Sequence, residues 1–390
     1  MQFLESVCQH TVGRFFTVES PSGCCEFLSG SLLHEVFHAT MIFLIGLIVI
    51  VIGTTIAVVR SEKPIKHIFA EAKFEMIYNY IGSRSIFEDF IMRGRNKTKL
   101  EKKSGKVVLI TGGTRGIGTE VIKMLMQCDM HVVMGCRSVE SGEKVLKEIR
   151  EDVKLGELKI FQLDISSLKS VRNFADKITS VYTQIDCLVN NAGIMYVPYA
   201  ESEEGYESQF ATNYLGHFLL THLLLGLVKK AGRDGENARV VNVVSCAYLT
   251  GDIDFEDINK KNMFIPFEAY SQSKLAQVLF TNYLNETLKE KGNYVQVHSV
   301  HPGIVNTDLF DGTYVKTFFW WILPYIFKSP KRGAQSIVHA CLSSDLEGKG
   351  ATYISNCTVK PQIEKALDKE LQKKLFDFTK KLVNVENFGT

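Results

Sequence analysis

Six short apolar runs, KVVLIT, HVVMGC, LKIFQL, IDCLVN, ARVVNVVS and VQVHSV, recur between residues 106 and 300, separated by polar stretches of helical periodicity. Strands that are apolar at every position and joined by helical crossovers predict an α/β fold. Its parallel sheet should be covered by helices on both faces. The domain is expected over 104–390 and ends in KALDKELQKKLFDFTKKLV, where Leu367, Leu371, Leu375, Phe378 and Leu382 share one helical face.

Two apolar stretches break this alternation. Residues 41–59, MIFLIGLIVIVIGTTIAVV, carry no charge, and their helical length of about 28 Å matches the hydrocarbon thickness of a bilayer. Arg60, Lys63, Lys66 and Lys73 follow this segment, whereas the twenty residues before it hold no Lys or Arg. That asymmetry predicts a single-pass transmembrane helix with the catalytic side in the cytosol and residues 1–40 lumenal or extracellular. Residues 60–103 are expected to be a basic juxtamembrane linker with an amphipathic, helical middle; the basic cluster that follows, Arg93 to Lys106, reads either as a solvated linker or as a segment drawn to anionic membrane lipid headgroups. The second stretch, KTFFWWILPYIFK at 316–328, holds both tryptophans. It is too short to span a bilayer, and Pro324 excludes a central strand. It reads as a lid over 308–330 with an apolar inner side, either dipping into the bilayer interface through its Trp and Tyr or packed wholly on its own domain.

Composition changes little in this picture. Forty-five Lys and Arg against 43 Asp and Glu leave a formal charge of +2, so nothing points to a nucleic-acid partner. Nine scattered cysteines without metal-ligand spacing predict no metal site and reduced thiols in the domain. Cys24 and Cys25 would lie across the membrane, where they can oxidise.

The first strand runs into TGGTRGIG, and a helix and second strand follow. A glycine-rich turn between strand and helix lets the backbone approach a pyrophosphate seated on the helix N-terminus. The turn Gly112, Gly113, Thr114, Arg115, Gly116, Ile117 and Gly118 is thus the candidate cofactor cradle of a Rossmann-type doubly wound sheet. The second strand ends in Cys136 and Arg137 rather than an acid. Arg115 and Arg137 suit a ribose 2′-phosphate, so the expected cofactor is NADP(H).

In YSQSK, Tyr270 and Lys274 stand four residues apart and share one helical face. At about 6 Å and an effective dielectric near 20, the lysine charge would lower the phenol by about two pKa units. A phenol tuned in this way exchanges protons near neutral pH, as moving hydride to or from a C–O carbon requires. Ser245, just past a strand end, can bind the substrate oxygen and stabilise alkoxide charge. It lies in no GxSxG elbow, which excludes a serine hydrolase. His217, His298 and His301 read as packed or turn histidines.

TGGTRGIG, LDIS at 163–166, NNAG at 190–193, Asn213 in NYLGHF, Ser245 in VVNVVS, YSQSK and HPG at 301–303 resemble the successive motifs of the short-chain dehydrogenase/reductase family over about 106–385. NYLGHFLLTHLLL, AYSQSKLAQVLFT, PGIVNTD and the 25-residue step from Ser245 to Tyr270 resemble its membrane-anchored retinol dehydrogenase-like branch. The resemblance implies that Asp164 contacts adenine, Asn191 lies against the cofactor, and Thr307 holds the nicotinamide carboxamide. It makes Asn213 the fourth catalytic residue, holding a water in a relay from Lys274, and it implies a homodimer. The function expected is NADP(H)-dependent interconversion of an alcohol and a carbonyl on a lipophilic retinoid, sterol or polyprenoid. The expected location is the endoplasmic reticulum membrane. A catalytically silent, membrane-tethered NADP(H) sensor is the alternative.

Overall fold

A computed structural model of the protein describes residues 64–311 and 313–389. The expected transmembrane helix at 41–59, the segment before it, and Cys24 and Cys25 lie outside the described residues. The six apolar runs form β1 (Val107–Thr111), β2 (His131–Cys136), β3 (Glu157–Gln162), β4 (Cys187–Asn190), β5 (Ala238–Val243) and β6 (Val295–His301). Two further strands, β7 (Thr352–Ser355) and β8 (Thr358–Lys360), complete one eight-stranded sheet of order β3-β2-β1-β4-β5-β6-β7-β8. Every pairing is parallel except β7 with β8. The doubly wound sheet expected from the apolar runs is therefore present.

Alternation along the strands builds a core on each face. Leu109, Val133, Leu188, Val240 and Val297 align across the sheet in register and are fully buried on one side. Val108, Ile110, Val132, Met134, Val189 and Val241 fill the other. The first face is covered by α4 (Leu168–Val181), α5 (Ser208–Ala231), α6 (Pro266–Glu290) and a C-terminal helix, and the second by α2 (Gly116–Gln127), α3 (Val139–Asp152) and α9 (Pro330–Leu342). Among the described residues α5 alone is long and apolar enough to cross a membrane. Its most apolar window is 83% buried inside the domain, so it is a core helix.

Two regions depart from expectation. The C-terminal helix starts later than expected, because Asp368 accepts hydrogen bonds from Glu370 N and Leu371 N and starts a new helix after Leu367, while Leu371, Leu375 and Leu382 pack on the core as expected. Leu367 sits in a separate short turn, α10 (Glu364–Leu367), and is exposed. In α11 (Lys369–Leu382) the buried positions are Gln372, Leu375, Phe376 and Thr379, while Phe378 packs half-buried on Phe255 at 5.4 Å. The stretch read as a linker carries α1 (Ile65–Ile91), as its amphipathic middle implied. From Phe69 onward, however, α1 belongs to the same compact unit as the sheet. Ile81, Ser85 and Asp89 are buried in it, so the domain begins well before residue 104.

The apolar run at 316–328 forms two short helices, α7 (Tyr314–Phe319) and α8 (Leu323–Ile326). Leu323 and Phe327 turn inward, whereas Phe318, Trp320, Trp321 and Tyr325 face solvent.

Candidate active site

The crossover that leaves β3 and returns to β4, beside β1, opens a crevice at the carboxyl ends of β1 and β4. The glycine turn forms one wall. Gly112 and Gly116 hold φ of +71° and +63°, a region costly for residues with a Cβ. A Cβ on Gly118 would meet the Gly112 oxygen at 2.0 Å, and one on Gly112 would meet Ala192 Cα at 2.9 Å. The NNAG loop is joined to this turn. Asn191 Nδ2 donates to the Thr111 and Gly112 carbonyls at 2.9 and 2.6 Å, and Thr111 Oγ1 accepts from Asn191 N and Ala192 N at 3.0 Å each. No side chain caps α2, so its first N–H groups stand open to an anion. A close-packed glycine turn ending in an uncapped helix fits a dinucleotide pyrophosphate.

The other residues expected to touch the cofactor gather loosely around this turn. Arg137 is exposed just past β2, where Ser138 caps α3, and Cys136 is buried behind it. Arg115 Nη1 lies 3.3 Å from Asp308 Oδ2, just after Thr307, with the two side chains 69% and 51% exposed. So exposed a pair is weak and readily exchanged for another anion. Asp164 Oδ1 accepts from Ser166 N and Oγ at 3.0 and 2.6 Å, which shapes the loop after β3. Thr307 Cγ2 reaches to 3.2 Å from the Cβ position of Gly116, so this residue does abut the glycine turn.

The catalytic candidates converge from three elements. Ser245, past the end of β5, accepts from Ala247 N at 3.2 Å and is hydrogen-bonded to Tyr270. Lys274 Nζ lies 5.7 Å from the Tyr270 ring centroid and donates to Val243 O at 3.0 Å and Gln277 Oε1 at 2.9 Å. Asn213 occupies a π-helical turn within α5, a distortion common at functional sites. Its side chain accepts from Ile194 N and donates to Ile194 O and Ser273 Oγ. Gly193 leaves room between Asn213 Oδ1 and Lys274 Nζ, which stand 3.2 and 3.7 Å from its Cβ position.

The electrostatics differ from the expectation for the Tyr–Lys pair. Burial raises the Tyr270 phenol above its ordinary value, and the Ser245 hydrogen bond only partly offsets this. Burial also lowers the Lys274 amine to about 7. A lysine held half neutral cannot supply the full positive charge on which the sequence argument relied.

The histidines are structural, as read from the sequence. His217 links Thr111 Oγ1 and the Asn213 carbonyl at 2.8 and 3.0 Å. His298 bonds Thr352 Oγ1, and His301 bonds Ser85 Oγ. Sequence reasoning expected the α1 helix but left it in a linker and missed its contacts with the site. Ser85 also hydrogen-bonds the Cys246 thiol next to Ser245, and Tyr78 packs beside Phe267, three residues before Tyr270. The only signal was the inward spacing of Phe74, Tyr78, Ile81 and Ser85, which a surface helix shows equally.

A dinucleotide cradle facing a Ser, Tyr and Lys at a sheet's carboxyl edge defines a nicotinamide-dependent oxidoreductase. The family model described as short chain dehydrogenase matches residues 106–314. Polyprenol dehydrogenase of Danio rerio is 37% identical over 292 residues, covering 74% of this chain and 89% of the relative. Retinol dehydrogenase 12 of Mus musculus is 37% identical over 282 residues, covering 72% and 87%. The crystal structure of an uncharacterized protein from Mycobacterium paratuberculosis superposes with a TM-score of 0.60 at 30% identity, over 74% of this chain and 97% of that one. The chain belongs to the short-chain dehydrogenase/reductase family, in its retinol dehydrogenase-like branch. It is an oxidoreductase acting on alcohols, with a site for NAD(P).

Proposed function

We propose that the protein is an NADP(H)-dependent oxidoreductase that reduces the carbonyl of a lipophilic isoprenoid-type molecule at a membrane surface. One observation carries the substrate class. Tyr270 sits in an apolar cluster with Met195, Ile304, Phe310, Leu323 and Phe327, the last three contributed by the Thr307 loop and the lid. A substrate whose oxygen reaches Tyr270 is surrounded by hydrocarbon, which favours an apolar body. The named activities of the relatives from Danio rerio and Mus musculus, on polyprenol and retinol, agree with this reading.

Arg115 and Arg137, with no acid at the end of β2, support NADP(H). The bound cofactor supplies or accepts the hydride. Ser245 holds the substrate oxygen, and Tyr270 gives it a proton as alkoxide charge develops. A phenol raised by burial keeps its proton at neutral pH, which suits reduction. Lys274, at about 7, is poised to return that proton, and Asn213 fixes the loop that faces it.

Membrane contact is supported by the apolar run at 41–59 and by exposed Phe69, Met76, Tyr80 and Phe87 along one face of α1. The basic flank after 59 favours a cytosolic domain on an endoplasmic reticulum membrane. Detergent-solubilised protein, NADPH and a panel of retinoid, steroid and isoprenoid carbonyls test the chemistry. Turnover with at least one, abolished by Tyr270→Phe, is expected. Tight NADPH binding with no turnover would favour the silent sensor instead.

A further inference from the structure

Helix α1 has no part in the chemistry described so far, yet one face of it is built into the site. Tyr78, Ile81, Ser85 and Asp89 follow at steps of three and four residues and so lie along one side of the helix. The Tyr78 ring meets Phe267 edge-on at 5.0 Å between centroids and Tyr196 at 5.9 Å. Tyr78 and the buried Ile81 pack on the cluster that contains Tyr270, Met195 and Phe310. Phe267 precedes Tyr270 by three residues on α6, so the ring that Tyr78 touches neighbours the phenol. The two phenols are close enough that Tyr270, after burial and Glu75, helps to raise the Tyr78 pKa.

The helix cannot easily withdraw this ring. Ser85 Oγ and His301 Nε2 are 3.0 Å apart. Asp89 accepts from Ile304 N at 2.9 Å and Asn356 Nδ2 at 3.0 Å, and pairs with Lys328 Nζ at 2.9 Å. Tyr78 is therefore a fixed wall, held about two and three turns away by the buried polar contacts of Ser85 and Asp89.

We infer that Tyr78 is a specificity-determining residue, forming with Phe267 and Tyr196 an aromatic slot beside Tyr270 that admits slender isoprenoid or polyene chains and rejects fused-ring carbonyls. The inference rests on the proposed function and names its substrate class. Slender unsaturated chains pack on aromatic faces without displacing them. A fused-ring body must push aside rings already in contact, and overpacking of this kind is unfavourable.

The test compares kcat/KM for farnesal and for a steroid ketone in wild type, Tyr78→Ala and Tyr78→Phe, with NADPH affinity measured alongside. Removing a wall of this size should shift the ratio toward the steroid by roughly tenfold or more, with NADPH affinity unchanged. Tyr78→Phe should keep the wild-type ratio, because the ring and not the hydroxyl is the wall. An unchanged ratio in Tyr78→Ala of wild-type circular dichroism would overturn the inference, as would a parallel loss of NADPH affinity. If Tyr78→Ala fails to fold, Tyr78→Leu takes its place under the same criterion. If wild type reduces neither compound nor any other carbonyl of the retinoid, steroid and isoprenoid panel, the proposed function fails separately. The slot is then read by binding, with farnesol and a steroid alcohol displacing a fluorescent polyene from NADPH-loaded wild type and variant. An unshifted displacement ratio overturns it there too.

Discussion

Replacing Asp89 by alanine should loosen the lid and the loop that carries Thr307 before it unfolds the domain. Asp89 and Lys328 side chains are 7% and 6% exposed and stand 2.9 Å apart. Lys328 keeps the Pro302 carbonyl at 3.1 Å, but its charge loses its counter-ion. The Ile304 amide and the Asn356 side chain also lose their acceptor. Breaking a buried pair by removing one partner costs about 3–5 kcal/mol, and each orphaned buried donor about 1–3 kcal/mol. These effects share the same atoms and do not add, so about 4 kcal/mol is expected, from a total stability on the order of 5–15 kcal/mol. Hydrogen exchange followed by mass spectrometry is the assay, on solubilised full-length protein. The amides of Asn306 and Lys328, which pair 304–306 with the lid's end, should lose protection while β4 and β5 keep theirs. Combining Asp89→Leu with Lys328→Met should recover only the part due to the unpaired Lys328 charge, since the Ile304 amide still lacks its acceptor and the Pro302 carbonyl its donor. A loss in Asp89→Ala below about 1 kcal/mol with those amides still protected would refute the reasoning.

Four further outcomes are expected. Gly118→Ala should abolish NADPH binding in a fluorescence titration, because the added Cβ would sit 2.0 Å from the Gly112 oxygen; retained affinity would show that the turn relaxes. Arg115→Ala with Arg137→Ala should raise KM for NADPH by roughly tenfold or more and leave that for NADH nearly unchanged, whereas equal changes would reject 2′-phosphate recognition. Burial holds His217 and His301 at about 4 and His298 at about 3, below the unfolded value of about 6.5. Under acid the unfolded chain therefore binds protons that the folded one refuses. Stability is full above about pH 6.5 and falls as pH drops toward about 4, by up to about 1.4 kcal/mol per unit for each histidine, and urea midpoints near neutral and near pH 5 would show it. Trp320→Ser with Trp321→Ser, at positions 68% and 59% exposed, should weaken vesicle binding and turnover of membrane-borne substrate while sparing NADPH affinity; equal losses would count against a lipid-facing lid.

The parts of the site legible in the sequence are those set by local geometry. A strand running into a glycine turn, a helix after it, and Tyr270 four residues before Lys274 place their groups through backbone periods that any reader can count. The runs that became β1 to β6 were rich in Val, Ile and Leu without strict alternation, because both faces of the sheet's interior are covered. TYIS and TVK, at four and three residues, are too short to signal β7 and β8. Their strand state comes from pairing with β6 and with each other. The break before α11 has a similar origin, since one capping aspartate started a new helix and left Leu367 outside, while Leu371, Leu375 and Leu382 still pack on the core.

By itself the sequence determined the sheet, the glycine turn, the four candidate catalytic positions and the presence of a greasy segment near Thr307. Tertiary structure decided what surrounds them. It turned a basic linker into α1, placing Tyr78 and Ser85 against the catalytic neighbours, and it reversed the expected Tyr270 shift by burying both phenol and amine. The physical reason is the same in each case. Periodicity and motif spacing are encoded within a few residues, whereas burial and its effect on charge depend on which distant segment of chain comes to lie on top.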